Sequence, residues 1–158
     1  MTRKPIEKKF IYQIALFMVF FIGCYVASPI FHESGHALAC DNLSVKIFNI
    51  TITGFGRNAV TRQNTGSPLL EGIIGFSGGA LATVAFSAIY LIMEDTDVLV
   101  RINLLGFSLS HFQVAFIEGF ARNWYRANNL LISQGSLFIS LIIAGIFEYF
   151  QEKKKSLQ

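Results

Sequence analysis

The sequence predicts an all-α membrane protein of about four transmembrane helices, with a short β-hairpin between the first and the second. Composition is the first observation behind that expectation. Hydrophobic residues make up 53% of the 158 residues and charged residues only 15%, against roughly 25% charged in ordinary soluble domains, and the mean hydropathy is +0.50. The second is patterning. Four apolar runs, at about residues 10–28, 69–93, 98–120 and 130–150, are each long enough at about 1.5 Å per residue to cross most of a hydrocarbon layer of about 30 Å. The third is a change of texture at residues 45–62. There Val45, Ile47, Ile50, Ile52 and Phe55 mix with Thr, Asn and Gly, as in a short hairpin, with its turn expected around Gly54-Phe55-Gly56. A chain of this length builds one core, so residues 1–158 are read as one integral-membrane domain.

The first run, Phe10 to Ser28, carries no charge. Basic residues ahead of it, Arg3, Lys4, Lys8 and Lys9, also fit the start of a signal peptide. Cleavage after Ser28 would leave Pro29 at the new terminus, a poor substrate for signal peptidases; Phe21-Ile22-Gly23-Cys24 only approaches a lipoprotein cleavage box, and the later spans favour retention. The second run has one charge, Glu71, and a small-residue surface of Gly75, Gly78, Gly79, Ala80 and Ala82 suited to close helix approach. The third carries Arg101, Asn103, His111, Gln113 and Glu118, a polar load that a membrane span bears when it faces partners, a cavity or a metal. The fourth reads as scaffold and ends in Lys153, Lys154 and Lys155. Links at 94–97 and 121–128 are short, so neighbouring helices should be antiparallel. Cys24 and Cys40 form neither a disulfide framework nor a zinc knuckle, and read as packing residues. The pI of about 9.0 comes from basic residues flanking apolar runs, a pattern of membrane topology with no nucleic-acid partner. Four spans place both termini on one side, and the basic ends favour the cytoplasm.

His32, Glu33 and His36 form H-E-x-x-H. Histidines four apart on a helix project from one face about a turn apart, close enough for two imidazoles to grip one Zn2+, while the adjacent glutamate reaches a metal-bound water as general base. The chain has only three histidines, and two of them fall in this pattern. A catalytic zinc needs a third protein ligand and an open position. His111 and Glu118 are the candidates, seven residues apart on one face and about 10 Å from each other, so only one should bind. His111 is expected to be that ligand, because an unpaired imidazole in mid-span is costly. Glu118 is the rival, with a salt bridge to Arg122 at i+4 as its alternative occupation.

The run His32-Glu33-Ser34-Gly35-His36-Ala37-Leu38-Ala39, behind an apolar helix and followed by Val45-Lys46-Ile47 and a β-like stretch to Gly54-Phe55-Gly56, resembles the site-2 protease family of intramembrane zinc metalloproteases. In that family this motif ends the first core helix, a membrane-associated hairpin follows, and a small-residue helix comes next. Gly75-Phe76-Ser77-Gly78-Gly79-Ala80-Leu81-Ala82 is similar to that helix. The family's third motif, N-L-L-P-x-x-x-L-D-G, carries an Asp ligand. Counting from Asn103-Leu104-Leu105-Gly106 puts His111 at the Asp position, whereas Ile117-Glu118-Gly119 matches the L-D-G alone; the Pro is absent.

The resemblance implies an intramembrane zinc endopeptidase cleaving a membrane-protein substrate within or beside its span in the lipid bilayer. Glu33 would be the base and His32, His36 and His111 the ligands. Two other classes compete: a membrane zinc hydrolase acting on a lipid amide or ester, and a non-cleaving metal-binding relative.

Overall fold

The computed structural model describes residues 5–52 and 59–157. Four helices follow in order, α1 (Pro5–Asn42), α2 (Pro68–Ile92), α3 (Val98–Phe120) and α4 (Arg122–Lys155), and all four are long and apolar enough to cross a membrane. Between α1 and α2 lie β1 (Ile47–Thr51) and β2 (Ala59–Arg62), paired antiparallel with Ile50 opposite Val60 and a register irregularity between Ile47 and Asn49. The hairpin thus stands where the sequence placed it; the turn expected around Gly54-Phe55-Gly56 lies outside the described residues.

The helix boundaries follow local chemistry. Ser67 accepts the N–H of Leu70 and Pro68 takes the first turn of α2, where a missing donor costs nothing. Asp97 caps α3 through the N–H of Leu99 at 2.9 Å. Helix α1 runs through Pro29 and carries the His-Glu-x-x-His run inside its last turns, well past the expected end at Ser28. The expected link at 121–128 is also helical. Only Ala121 separates α3 from α4, and the irregularity is a kink within α4 at Asn128 (φ −129°, ψ 19°).

The inside of the bundle mixes polar and apolar side chains, and the outside is largely apolar. Helix α3 is central, with Arg101, Asn103, Ser108 and Ser110 buried alongside Val100, Leu104 and Phe107. Cys24 packs with Phe86, Val100, Leu104 and Phe107, and Cys40 is fully buried; both are free thiols. Large apolar side chains of α1 and α4, such as Val19, Leu131 and Phe138, point outward, as a lipid-facing surface requires.

Lipid tails are as apolar as leucine, so helices in a bilayer associate by close packing and polar contacts. Here the contact is made by α2. A β-carbon on Gly79 would stand 2.6 Å from the His111 carbonyl oxygen and 2.7 Å from the Ala115 nitrogen, both backbone atoms of α3. Gly145 on α4, by contrast, has open space around it. Replacing Gly79 by Ala is expected to lower stability by about 1–2 kcal/mol, overpacking outweighing the gain in helix propensity. Gly145→Ala should be neutral or stabilising by up to about 1 kcal/mol. Unfolding of the detergent-solubilised variants, followed by circular dichroism, measures both, and equal effects would contradict the close α2–α3 contact.

Candidate metal centre

Two turns of α1 and the last turn of α3 meet over the glycine face of α2. On α1, His32 and His36 lie one turn apart, and their Nε2 atoms face each other at 3.1 Å. From α3, Glu118 brings Oε2 to 3.1 Å from His32 Nε2 and Oε1 to 3.4 Å from His36 Nε2. Helix α2 makes the approach possible. The His36 ring lies where a β-carbon of Gly78 would be, and a β-carbon on Gly75 would stand 2.8 Å from the Glu118 carbonyl. His36 Nδ1 donates to the Ile74 carbonyl at 2.6 Å, which leaves Nε2 as the lone-pair nitrogen turned to the cluster.

The donor set fits zinc. Histidine nitrogens and a carboxylate are ordinary zinc ligands, and in a tetrahedral site with bonds of about 2.0–2.1 Å the ligand atoms stand about 3.3 Å apart. The two imidazole nitrogens stand 3.1 Å apart, each has a different Glu118 oxygen at 3.1 or 3.4 Å, and one donor atom from each of the three residues lies within 4.8 Å of the others, a spacing that a single ion could draw together. His32, His36 and Glu118 form the one group among the described residues able to hold a metal ion through three His, Cys, Asp or Glu ligands. A lone pair on His36 directed at a carboxylate is repulsive unless a proton or a cation lies between them. Glu118 Oε2 is buried and makes no contact of hydrogen-bond geometry, nor does His32 Nδ1.

The rival assignment is therefore the one the fold assembles, and His111 stands outside the cluster. Its Nε2 is hydrogen-bonded to the Ser28 hydroxyl one turn before His32, and its ring stacks on Phe86 with centroids 5.9 Å apart. His32 and His111 are neighbours, with ring centroids 5.6 Å apart, but on successive levels of the bundle. Nor does Glu118 pair with Arg122, as its i+4 spacing suggested. Arg122 closes instead on Glu71, which also takes the forked Arg62 at 2.8 and 2.7 Å.

Glu33 is buried beside the cluster, 5% exposed, within electrostatic reach of His32, His36, Glu118 and the Val60 backbone. Strand β2 thus lies against the carboxylate that the motif casts as a base. The contributions of Ile74, Val60 and the Arg62–Glu71–Arg122 group were not foreseen. Backbone partners leave no trace in side-chain identity, although Glu71, as the lone charge of its span, did mark a position in need of a partner.

No protein-family model, curated protein or solved structure matches the chain.

Ligand roles are separable by substitution. If the cluster holds an ion, Glu118→Ala should weaken its binding by more than about 100-fold, whereas His111→Ala should keep near-stoichiometric metal. Metal analysis after equilibration against a chelator measures both, and the opposite ranking would return the role to His111.

Proposed function

We propose that the chain is a multi-pass membrane zinc endopeptidase that hydrolyses a peptide bond of a membrane-protein substrate within or beside its span. One observation carries the reading: two histidines and a carboxylate from two different helices converge to within 4.8 Å of one another at the place where the His-Glu-x-x-His run puts a general base. His32, His36 and Glu118 would hold the ion. Bound there, zinc supplies Lewis acidity, polarising the scissile carbonyl and lowering the pKa of water toward about 7.

The chain's own residues account for the rest. Glu33 takes a proton from the attacking water and passes it to the leaving nitrogen; the water oxygen bonds to the carbonyl carbon, and the C–N bond breaks to give a carboxylic acid and an amine, which exchange a proton to become carboxylate and ammonium. The Val60 backbone of β2 lies within electrostatic reach of the Glu33 carboxylate. His36 is oriented by the Ile74 carbonyl and keeps its lone pair on the metal side. The two-stranded sheet beside Glu33 offers backbone groups at its edge to an extended segment, which matters because a helical substrate must release its carbonyls before a bond is exposed. Glu118 as third ligand makes Ile117-Glu118-Gly119 the counterpart of the L-D-G in the site-2 protease family, which strengthens that resemblance where the sequence was most divergent.

Glu33→Gln separates a catalyst from a metal-binding relative. The variant is expected to fold, retain zinc and lose cleavage by at least about 100-fold, because the base contributes proton transfer rather than coordination. The assay compares membrane proteomes of cells expressing wild type or variant and looks for shortened single-span proteins. Unchanged cleavage by the purified variant would sink the assignment of the base, and a lipid product would redirect the reading to an amide or ester hydrolase.

A further inference from the structure

The end of the bundle that carries the metal cluster also carries a cavity of about 850 Å³, bounded by β2, the first turn of α2 and the corner where α3 passes into α4. Its wall holds three guanidinium groups, Arg62, Arg122 and Arg126, against a single carboxylate, Glu71. That carboxylate is already committed. Its oxygens accept both arms of Arg62, the N–H and hydroxyl of Thr65 and the Arg122 guanidinium. Arg62 and Arg126 both lie close enough to Arg122 for their like charges to act on it. Among the described residues no acidic partner is found for Arg126. Three positive groups and one negative leave the lining with a net charge of +2.

A second feature of the same wall points to the same ligand charge. Helix α4 begins there, and its cap residue, Ala121, has no side chain to accept the free N–H groups of the first turn. Those N–H groups are donors available to an acceptor, although α3 ends at the same residue and its carbonyl end offsets much of the charge of the helix start. Together the guanidiniums and the helix end form a basin for an anion with several acceptor oxygens. The surroundings indicate where such an anion comes from. Phe120 and Trp124 line the cavity yet are 82% and 58% exposed, at the end of three helices long and apolar enough to span a bilayer. Aromatic rings in that position sit at headgroup level, and basic pockets between helices there accept lipid phosphates.

We propose that this cavity binds the phosphoryl headgroup of an anionic phospholipid. The site is distinct from the metal cluster but adjoins it. Gly119, in the cavity wall, follows Glu118 directly, and a β-carbon on Gly72 opposite would stand 3.0 Å from its carbonyl. A bound headgroup therefore braces the corner of the chain from which the third metal ligand projects.

Trp124 is the only tryptophan in the chain, so its emission reports from the cavity wall. The full-length protein would be placed in nanodiscs of phosphatidylcholine doped with phosphatidylglycerol brominated high on its acyl chains, with brominated phosphatidylcholine as the matched control. Quenching by the anionic lipid is expected at several-fold lower mole fraction than by the control. Arg126→Gln and Arg122→Gln should each raise the required fraction about fivefold, and added salt should do the same. Arg126 is exposed and makes no ion pair among the described residues, so its variant should retain wild-type helicity even where Arg122→Gln does not. Equal quenching by the two lipids, or an Arg126→Gln variant that responds like wild type, overturns the proposal. Reversal of the quenching by inorganic phosphate or by an acidic peptide at constant ionic strength also overturns it, assigning the cavity to a soluble anion.

Discussion

Backbone-to-backbone contact along the glycine face of α2 is the constraint from which the remaining geometry follows. Gly75 and Gly79 bring α3 against α2, while Gly78 receives the ring of His36 from α1. A side chain at any of the three would hold a neighbouring helix away, and a displacement of about 1 Å is enough to spoil a site whose donor atoms must lie within a few tenths of an ångström of their positions. The same closeness excludes lipid and water from around Ile74, whose carbonyl orients His36. Packing and chemistry are thus served by the same residues, and neither can be altered without the other.

Polar contacts supply what the hydrophobic effect cannot in a bilayer, a definite register for each helix. Helix α4 is the clearest case, because its apolar surface would be equally well solvated by lipid. It is tied at one end by Arg101, which reaches Glu148 at 2.9 Å and Glu152 at 2.5 Å, with the Tyr90 hydroxyl donating to Glu148 at 2.6 Å. In the middle Gln113 donates to Ser140 at 3.1 Å, and at the other end Arg122 meets Glu71. The buried Arg101–Glu148 pair contributes little net stability over an apolar replacement, yet removing one partner of such a pair costs about 3–5 kcal/mol. These polar contacts act as position markers, and they fix where the α3–α4 corner stands.

The four spans and the hairpin were legible in the sequence because each rests on local patterning: long uncharged runs, a small-residue face, a mixed polar stretch. His32, Glu33 and His36 were legible because one helical turn makes their relation local too. The third member of the cluster was not, and the reason is geometric. His111 and Glu118 share a face of α3, so periodicity cannot choose between them; only the level of α3 against α1 can. That level is set by tertiary contacts. Ser28 is opposite His111 and His36 opposite Glu118, eight residues on along one helix and seven along its parallel neighbour. Counting from Asn103 points two turns before Glu118, to the depth of Ser28 rather than of His32. Asn103 itself is buried far from the cluster, donating to the Phe17 and Leu99 carbonyls.

The lengths of the helices have a further consequence. Helices α2 and α3, of 25 and 23 residues, span about 38 and 35 Å, close to a bilayer's hydrocarbon thickness plus a modest tilt, while α1 and α4, of 38 and 34 residues, overshoot it. Glu118 lies two residues from the end of α3, roughly 3 Å along the axis. In a bilayer, the depth of the His32, His36 and Glu118 cluster below the headgroups would follow from hydrophobic matching of the short central helix. A thicker membrane would submerge the cluster and a thinner one would lift it toward water, so lipid composition would tune the hydration of the cluster without any change in the protein.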